Sequence, residues 1–350
     1  MTAELALLLA QDGVANGAIY ALVALGIVQV FLITRVVFVP FGDIVAYASL
    51  TLAAVQAGRL PGTVWLVGLL AGLAFLMEVV GLARGGRWGG LGRAVLAYLV
   101  VPLVPVGLAV VLAGRALPPL VEYGLTLALI LPTGPLLYRI AFRPIADAPV
   151  LVLLIVAVVL HFAVSGLALV VFGPEGARPR LLADGGVDFA GLYFPAQMLL
   201  MLGASAGLAL GLWVFFERSM TGKALRATAI NRVGARLVGI RPGQAGTIAF
   251  LLASALAAAG GILIGPVTTL FYDSGFVLGL KAFVGAIIGG LVSTPGAVLG
   301  ALLVGQMESF AAFYDSTFKD AVVFAALVPI LVLRSTLGRP AEDDGEEEEL

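Results

Sequence analysis

Apolar and polar positions alternate along this chain in long blocks rather than residue by residue. Apolar runs recur from end to end, separated by short polar or Pro/Gly breaks. A run of about 17–25 apolar residues is long enough to cross a bilayer as an α-helix. Such runs fall at 13–34, 42–58, 61–82, 94–113, 118–138, 149–172, 192–216 and 245–270, followed by 277–313 and 320–335. The run 277–313 is too long for one crossing and is interrupted at Ser293-Thr294-Pro295-Gly296, so it is expected to be two short helices, 277–292 and 295–313, meeting at a turn. The pattern predicts an all-α polytopic membrane protein with about 8–11 transmembrane helices, in a single transmembrane domain over 1–340. A β-barrel is not expected, because strands of about ten residues with alternating polarity are missing. No cleavable signal stands out in the first apolar run, and no internal repeat is visible.

One long polar interval breaks the series. Between Glu217 and Arg241 lie Arg218, Lys223, Arg226, Arg232, Arg236 and Arg241. Within it Ile230, Val233 and Leu237 recur at helical spacing, with Arg232 and Arg236 on the opposite face. Gly239 and Pro242 would end the helix. A short amphipathic helix near 222–240 is therefore predicted, in a loop over 217–244. Lipid headgroups could hold it at the interface, or a soluble motor subunit could dock on it; the pattern alone leaves these near even.

Composition narrows the class. The chain is 61% hydrophobic and 12% charged, against about 25% charged for soluble domains, and its mean hydropathy is +1.10. It has no Cys, which excludes disulfides and Cys-ligated metals, and one His, His161. The net charge of -1 hides a basic body, because the tail 341–350 is almost wholly acidic. That tail has nothing to bury and is expected to be disordered. With the N-terminus placed outside, 14 of the 20 Lys and Arg fall in inside segments and 5 in outside ones, with Lys281 inside a span. Positive-inside bias then puts the basic loop and the C-terminus in the cytoplasm. The loop over 173–191, with Gly173-Pro174-Glu175 and Asp184-Gly185-Gly186, falls outside.

Small residues at four-residue spacing, such as Gly13/Gly17, Gly68/Gly72, Gly203/Gly207/Gly211, Gly285/Gly289 and Gly296/Gly300, suit close helix packing and carry no site by themselves.

Candidate chemistry is sparse. No phosphate-binding loop, zinc-protease helix, nucleophile elbow or carboxylate-rich metal cluster appears, which argues against ATP hydrolysis by the chain and against a membrane enzyme. Charges at or near membrane depth are Asp43, Glu78, Lys281 and Glu308. Intramembrane ionisable residues usually face the bundle interior in pairs. Lys281 and Glu308, on the two facing short helices, read most simply as an ion pair. Asp43 reads as a helix-start residue favoured by the dipole, Glu78 as a snorkelling span-end residue, and His161 as a helix–helix hydrogen-bond donor or a substrate contact. The break at Ser293, Thr294 and Pro295 marks a pathway if it lies deep and a turn if it lies at the surface.

Several stretches carry a family resemblance. They are Asn16-Gly17-Ala18-Ile19-Tyr20-Ala21-Leu22, Tyr138-Arg139-Ile140-Ala141-Phe142-Arg143-Pro144 and Phe172-Gly173-Pro174-Glu175. Further along come Arg226-Ala227-Thr228-Ala229, Leu237-Val238-Gly239-Ile240 and Gly279-Leu280-Lys281-Ala282-Phe283. Ile288 to Ala297, Lys319 to Phe324 and Leu337 to Pro340 complete the set. In these the chain resembles the permease subunits of branched-chain amino acid ABC importers. The resemblance implies a second related permease or a second copy, two cytoplasmic ATP-binding subunits, and a periplasmic solute-binding protein. It implies a bacterial inner-membrane location, no enzyme activity and no cofactor in this chain, since ATP is used by partner subunits; no nucleic-acid partner is expected. It makes the basic loop a coupling helix, with Arg226, Ala227, Ile230, Arg232, Val233, Arg236, Leu237 and Gly239 meeting the ATPase. Asn16, Tyr20, Asp43, His161, Lys281, Ser293, Thr294 and Glu308 become candidates for the translocation pathway. The chain departs from the family in two places. The family's Asn-Phe-Ala-His-Gly type sequence is replaced by Phe38-Val39-Pro40-Phe41-Gly42-Asp43, so the solute is not fixed beyond an amino acid or related acid or amide. The stretch 59–115 is longer than usual by about two spans, which would leave the downstream topology unchanged. A self-sufficient channel or secondary transporter is the rival reading, and a membrane enzyme or assembly factor a third; ATPase and binding-protein genes alongside would discriminate them.

Overall fold

The computed structural model describes residues 3–86, 88–189, 192–291 and 293–337. The acidic tail 341–350 lies outside the described residues. Among those described, eight helices are long and apolar enough to cross a membrane, matching the all-α polytopic reading.

In chain order the elements begin with α1 (Ala3–Thr34), α2 (Phe41–Gln56), α3 (Thr63–Arg84), α4 (Trp88–Leu112), α5 (Pro119–Ile145) and α6 (Val150–Phe172). A small hairpin follows, β1 (Gly186–Phe189) and β2 (Leu192–Pro195), antiparallel with Val187 opposite Phe194. It sits in and just after the predicted outside loop, where no strand was expected. Next come α7 (Ala196–Arg218), α8 (Met220–Ile230), α9 (Arg232–Leu237) and α10 (Pro242–Ile264). The chain continues with α11 (Ser274–Gly289), α12 (Thr294–Tyr314), α13 (Lys319–Ala325) and α14 (Leu327–Leu337). The last predicted span, 320–335, is thus two helices. Pro329, in the first turn of α14, has no N–H to offer the Ala325 carbonyl, which interrupts the helical ladder there.

The core is built from two short helices, each preceded by a long one. α1 ends where Thr34 Oγ1 bonds back to the Val30 carbonyl at 2.6 Å and Arg35 adopts a left-handed φ of 61°. The chain then turns back into the bundle. Phe38 is fully buried, packed edge-on against Phe250 at 4.7 Å and Phe142 at 6.0 Å, and α2 starts from this interior position. α2 runs alongside α10 in the same direction, with Gly261 against Val45 and Ala48 and Gly265 against Ser49. α11 likewise runs with α1, since both lie antiparallel to α12: Gly13 meets Gln306, Gly17 meets Leu302, Gly285 meets Ala301 and Gly289 meets Gly296. The α1–α2 pair and the α10–α11 pair are therefore similar units traversed in opposite directions, the inverted arrangement common in transporters. The units meet where Gly42 and Gly275, the second residues of α2 and α11, touch backbone to backbone, leaving no room for a Cβ on either.

The small-residue pairs divide. Gly13/Gly17, Gly285/Gly289 and Gly296/Gly300 pack as expected. Gly68, Gly72, Gly203, Gly207 and Gly211 instead face open space, with no atom within 4 Å of where a Cβ would stand. Among these pairs, close packing falls on α1, α11 and α12.

The predicted single amphipathic helix is two helices. Asn231 takes an extended conformation and its side chain accepts from the Gly234 amide at 2.8 Å, capping α9. Ser219 caps α8 in the same way through Gly222. Gly239, with φ +86°, follows the end of α9 as predicted.

Candidate functional site

Lys281 and Glu308 meet as their placement on facing helices predicts. Lys281 Nζ donates to Glu308 Oε1 at 2.7 Å, with the two residues 5% and 6% exposed. Two further partners complete the group. Tyr20 donates its hydroxyl to Glu308 Oε2, and Asp320 at the start of α13 lies 2.7 Å from Lys281 Nζ. The Lys281 ammonium also stands 5.9 Å from the centroid of the Tyr20 ring. Charges this deep persist only when paired and hydrogen-bonded, and this cluster ties α1, α11, α12 and α13 together.

Above the cluster a cavity of about 560 Å³ opens at the end of the bundle that carries the β-hairpin. Asp12 and Asn16 of α1 line it, with Glu308 of α12, Lys319 and Arg178. Its apolar wall is made by Met198 and Met201 of α7 with Val267 and Phe313. Arg178 is fixed by its Nε–H bond to the Pro266 carbonyl at 2.8 Å. The cavity therefore offers carboxylates and cations together, beside a thioether and aliphatic surface.

A second cavity, of about 250 Å³, lies along the same three helices at their other end. Gln29 of α1, Trp213 and Phe216 of α7, and Thr294 and Pro295 of α12 line it, under Arg226 and Ala229 of α8. Asn16 and Leu25 border the two cavities, and the nine-residue step from one to the other spans roughly 14 Å at 1.5 Å per residue. That interval is closed: Gly17 packs on Leu302, Gly305 packs on Gly17, and Tyr20 holds Glu308. Thr294 thus lies beside the second cavity, while Ser293 is exposed and accepts from the Gly296 amide at 3.2 Å, capping α12.

Asp43 and His161 form a separate pair. His161, the twelfth of the 23 residues of α6, places Nδ1 2.6 Å from Asp43 Oδ2 and stacks on Phe276 at 4.5 Å. Asp43 lies in the first turn of α2, as the helix-start reading expects, and its carboxylate meets His161. Its Oδ1 has no partner among the described residues. The pair joins α2 to α6, and neither residue lines the two cavities. Glu78 does not merely snorkel: Arg139 donates Nε–H and an Nη2–H to its Oε2 at 2.8 and 2.6 Å.

The loop helices present one face to the protein and one to solvent. Arg232 donates to the Ala146 carbonyl at 2.9 Å, and Arg236 lies 3.4 Å from Asp147. Ile230, Val233, Leu237 and Val238 are 80%, 67%, 84% and 75% exposed. The arginines are the inward contacts and the apolar residues the outward ones. Ala227 is half-buried and Arg226 pairs with Glu217 at 2.9 Å. Among the described residues no group of three or more His, Cys, Asp or Glu is placed to hold a metal ion.

Comparison with known proteins gives the family. The sequence profile described as branched-chain amino acid transport system / permease component matches residues 9–333. The high-affinity branched-chain amino acid transport system permease protein BraD of Pseudomonas aeruginosa is 34% identical over 211 residues, covering 58% of this chain and 69% of that one. The corresponding permease LivH of Escherichia coli K12 is 32% identical over 216 residues, 58% of this chain and 68% of that one. A probable LivH permease of Methanocaldococcus jannaschii is 26% identical over 151 residues, 43% and 46% of the two chains. No solved structure matches.

Proposed function

The chain belongs to the branched-chain amino acid transport system permease family, and from that premise we propose that it is the membrane subunit through which an ABC importer moves a branched-chain or related amino acid inward. The supporting observation is the pair of cavities on the α1–α7–α12 seam, at opposite ends and separated by a closed interval of roughly 14 Å. That is the layout alternating access needs: a space open to each side in turn, never to both.

The hairpin-end cavity suits a zwitterion. Asp12 and Glu308 can receive an ammonium, Arg178 and Lys319 a carboxylate, and Met198 with Met201 an aliphatic side chain. In this reading that end faces the periplasm and receives solute from a binding protein, and α8 and α9 face the cytoplasm of a bacterial inner membrane. The exposed patch at Ile230, Val233 and Leu237 then seats in a groove of an ATP-binding subunit, two of which serve this permease and a second one. ATP-driven closure pushes α8 and α9. Arg232 and Arg236 pass the displacement to Ala146 and Asp147 at the foot of α5 and α6. The push thereby favours one of two discrete packings of the bundle, as a shift of population.

The test is uptake of labelled leucine, isoleucine and valine in cells with and without the gene, each with the partner ATPase active or inactivated. Uptake that requires both supports the proposal. Uptake that persists with the ATPase inactive would return the chain to a channel or secondary transporter.

A further inference from the structure

A third cavity, of about 910 Å³, lies away from the seam, at the end of the bundle that carries α8 and α9. Its rim is made of helix ends: the last turn of α3, the first turns of α4 and α10, and the foot of α5. Arg93, Arg143 and Arg241 converge on it from three separate elements. Arg143 is positioned by the Tyr98 hydroxyl at 3.1 Å and stands 3.9 Å from Glu78. Glu78, the one carboxylate of the lining, is already held by Arg139 at 2.6 Å. Arg93 and Arg241 make no side-chain hydrogen bond or ion pair among the described residues. With Glu78 neutralised by Arg139, the three arginines of the lining leave an excess of three positive charges. The first turn of α10 lines the same space through Gly243 and Gln244 and adds the positive end of a 23-residue helix.

We infer that this cavity binds the phosphodiester headgroup of an anionic phospholipid. Phosphate oxygens match the charge, and planar guanidinium groups bind them in pairs. A lipid rather than a soluble phosphate is favoured by the surroundings. Leu82, Ala97 and Ile248 line the cavity itself. The adjoining faces of α3 and α4 expose Val80, Leu91 and Leu96, on which acyl chains can lie. Basic pockets between helix ends on one side of a membrane are headgroup sites of this kind. The site also touches the coupling strut: the short stretch that aims Arg143 into the cavity continues into Ala146 and Asp147, which hold Arg232 and Arg236. A seated headgroup braces that strut. The inference stands independently of which solute is carried.

The test is native mass spectrometry of the full-length chain, in the assembly with which it is extracted, titrated with phosphatidylglycerol, phosphatidylcholine or inorganic phosphate. Phosphatidylglycerol adducts are expected at concentrations roughly tenfold or more below those needed for phosphatidylcholine. The Arg93→Gln/Arg241→Gln variant should lose that preference, Arg93→Lys/Arg241→Lys should keep most of it, and Arg84→Gln, at the same end but outside the cavity, should keep all of it. Neither mutated arginine has a side-chain partner to lose among the described residues, so the fold is not at stake. Equal binding of the two lipids, or an unchanged preference in the double Gln variant, would overturn the inference. Inorganic phosphate retained as tightly as phosphatidylglycerol would make the occupant a soluble phosphate and overturn the lipid assignment. Displacement of the lipid by a co-purifying acidic protein would overturn it equally.

Discussion

Gly42 and Gly275 touch backbone to backbone where the first turns of α2 and α11 cross. Each is the second residue of its helix, and the two helices belong to units of opposite direction. A methyl group at either position would overlap the other's main chain, which cannot move aside as a side-chain tip can. Overpacking of this kind costs about 1–3 kcal/mol, occasionally more. Gly42→Ala and Gly275→Ala should each lower the thermal midpoint of the purified protein by several degrees. Gly68→Ala, where nothing lies within 4 Å, should shift it by no more than about 0.5 kcal/mol equivalent. Equal behaviour of the three variants would remove the crossing from the account.

Lys281 offers a different kind of test, because its environment is charged rather than crowded. Lys281→Met strips Glu308, 6% exposed, of its nearest cation, and removing one partner of a buried pair costs about 3–5 kcal/mol. Lys281→Met combined with Glu308→Leu removes the buried uncompensated charge as well, leaving unpaired only Asp320, which is 41% exposed. The double variant should be more stable than Lys281→Met alone, read as recovery of folded protein by fluorescence size-exclusion. A double variant less stable than both singles would mean that the two residues contribute independently.

The hairpin-end cavity makes a functional prediction. Asp12 and Lys319 line it without holding the fold together: Asp12 makes no ion pair among the described residues, and Lys319 stands 3.9 Å from Glu308. A hydrogen bond to a charged group is worth about 1.5–3 kcal/mol. Asp12→Asn and Lys319→Met should therefore raise the half-saturating amino-acid concentration for uptake about tenfold or more, with normal amounts of protein in the membrane. Unchanged half-saturation in both variants would place solute recognition elsewhere.

Much of this architecture is visible in the residue order, for reasons that can be named. Lys281 and Glu308 stand alone in adjacent apolar runs, so each had little else to pair with. The span positions follow from run length, and the turn at Ser293 to Gly296 from its Pro and Gly. The Asp43–His161 pair is another matter. Its members are 118 positions apart, and periodicity carries no information about which distant spans adjoin. The inverted units are likewise silent, because their likeness lies in backbone direction and in where each short helix begins. The split between α8 and α9 did leave a signal. Asn231 three residues before Gly234 is a capping pattern, masked by the apolar spacing of Ile230, Val233 and Leu237 that continues across it. The side on which the arginines fall depends on Ala146 and Asp147, about 85–90 positions earlier, and no local pattern reports that.

Ile230 and Leu237, at 80% and 84% exposure, are the residues on which the coupling proposal rests most directly. The decisive measurement is co-purification of the ATP-binding subunits with the Ile230→Asp/Leu237→Asp variant, alongside ATP-dependent amino-acid uptake. Both side chains point away from the protein, so the variant should reach the membrane in normal amounts. The account predicts loss of the ATPase subunits from the purified complex and a fall in uptake of at least about tenfold, as expected when central apolar contacts of an interface are removed. A variant that retains both its ATPase subunits and its uptake would contradict it.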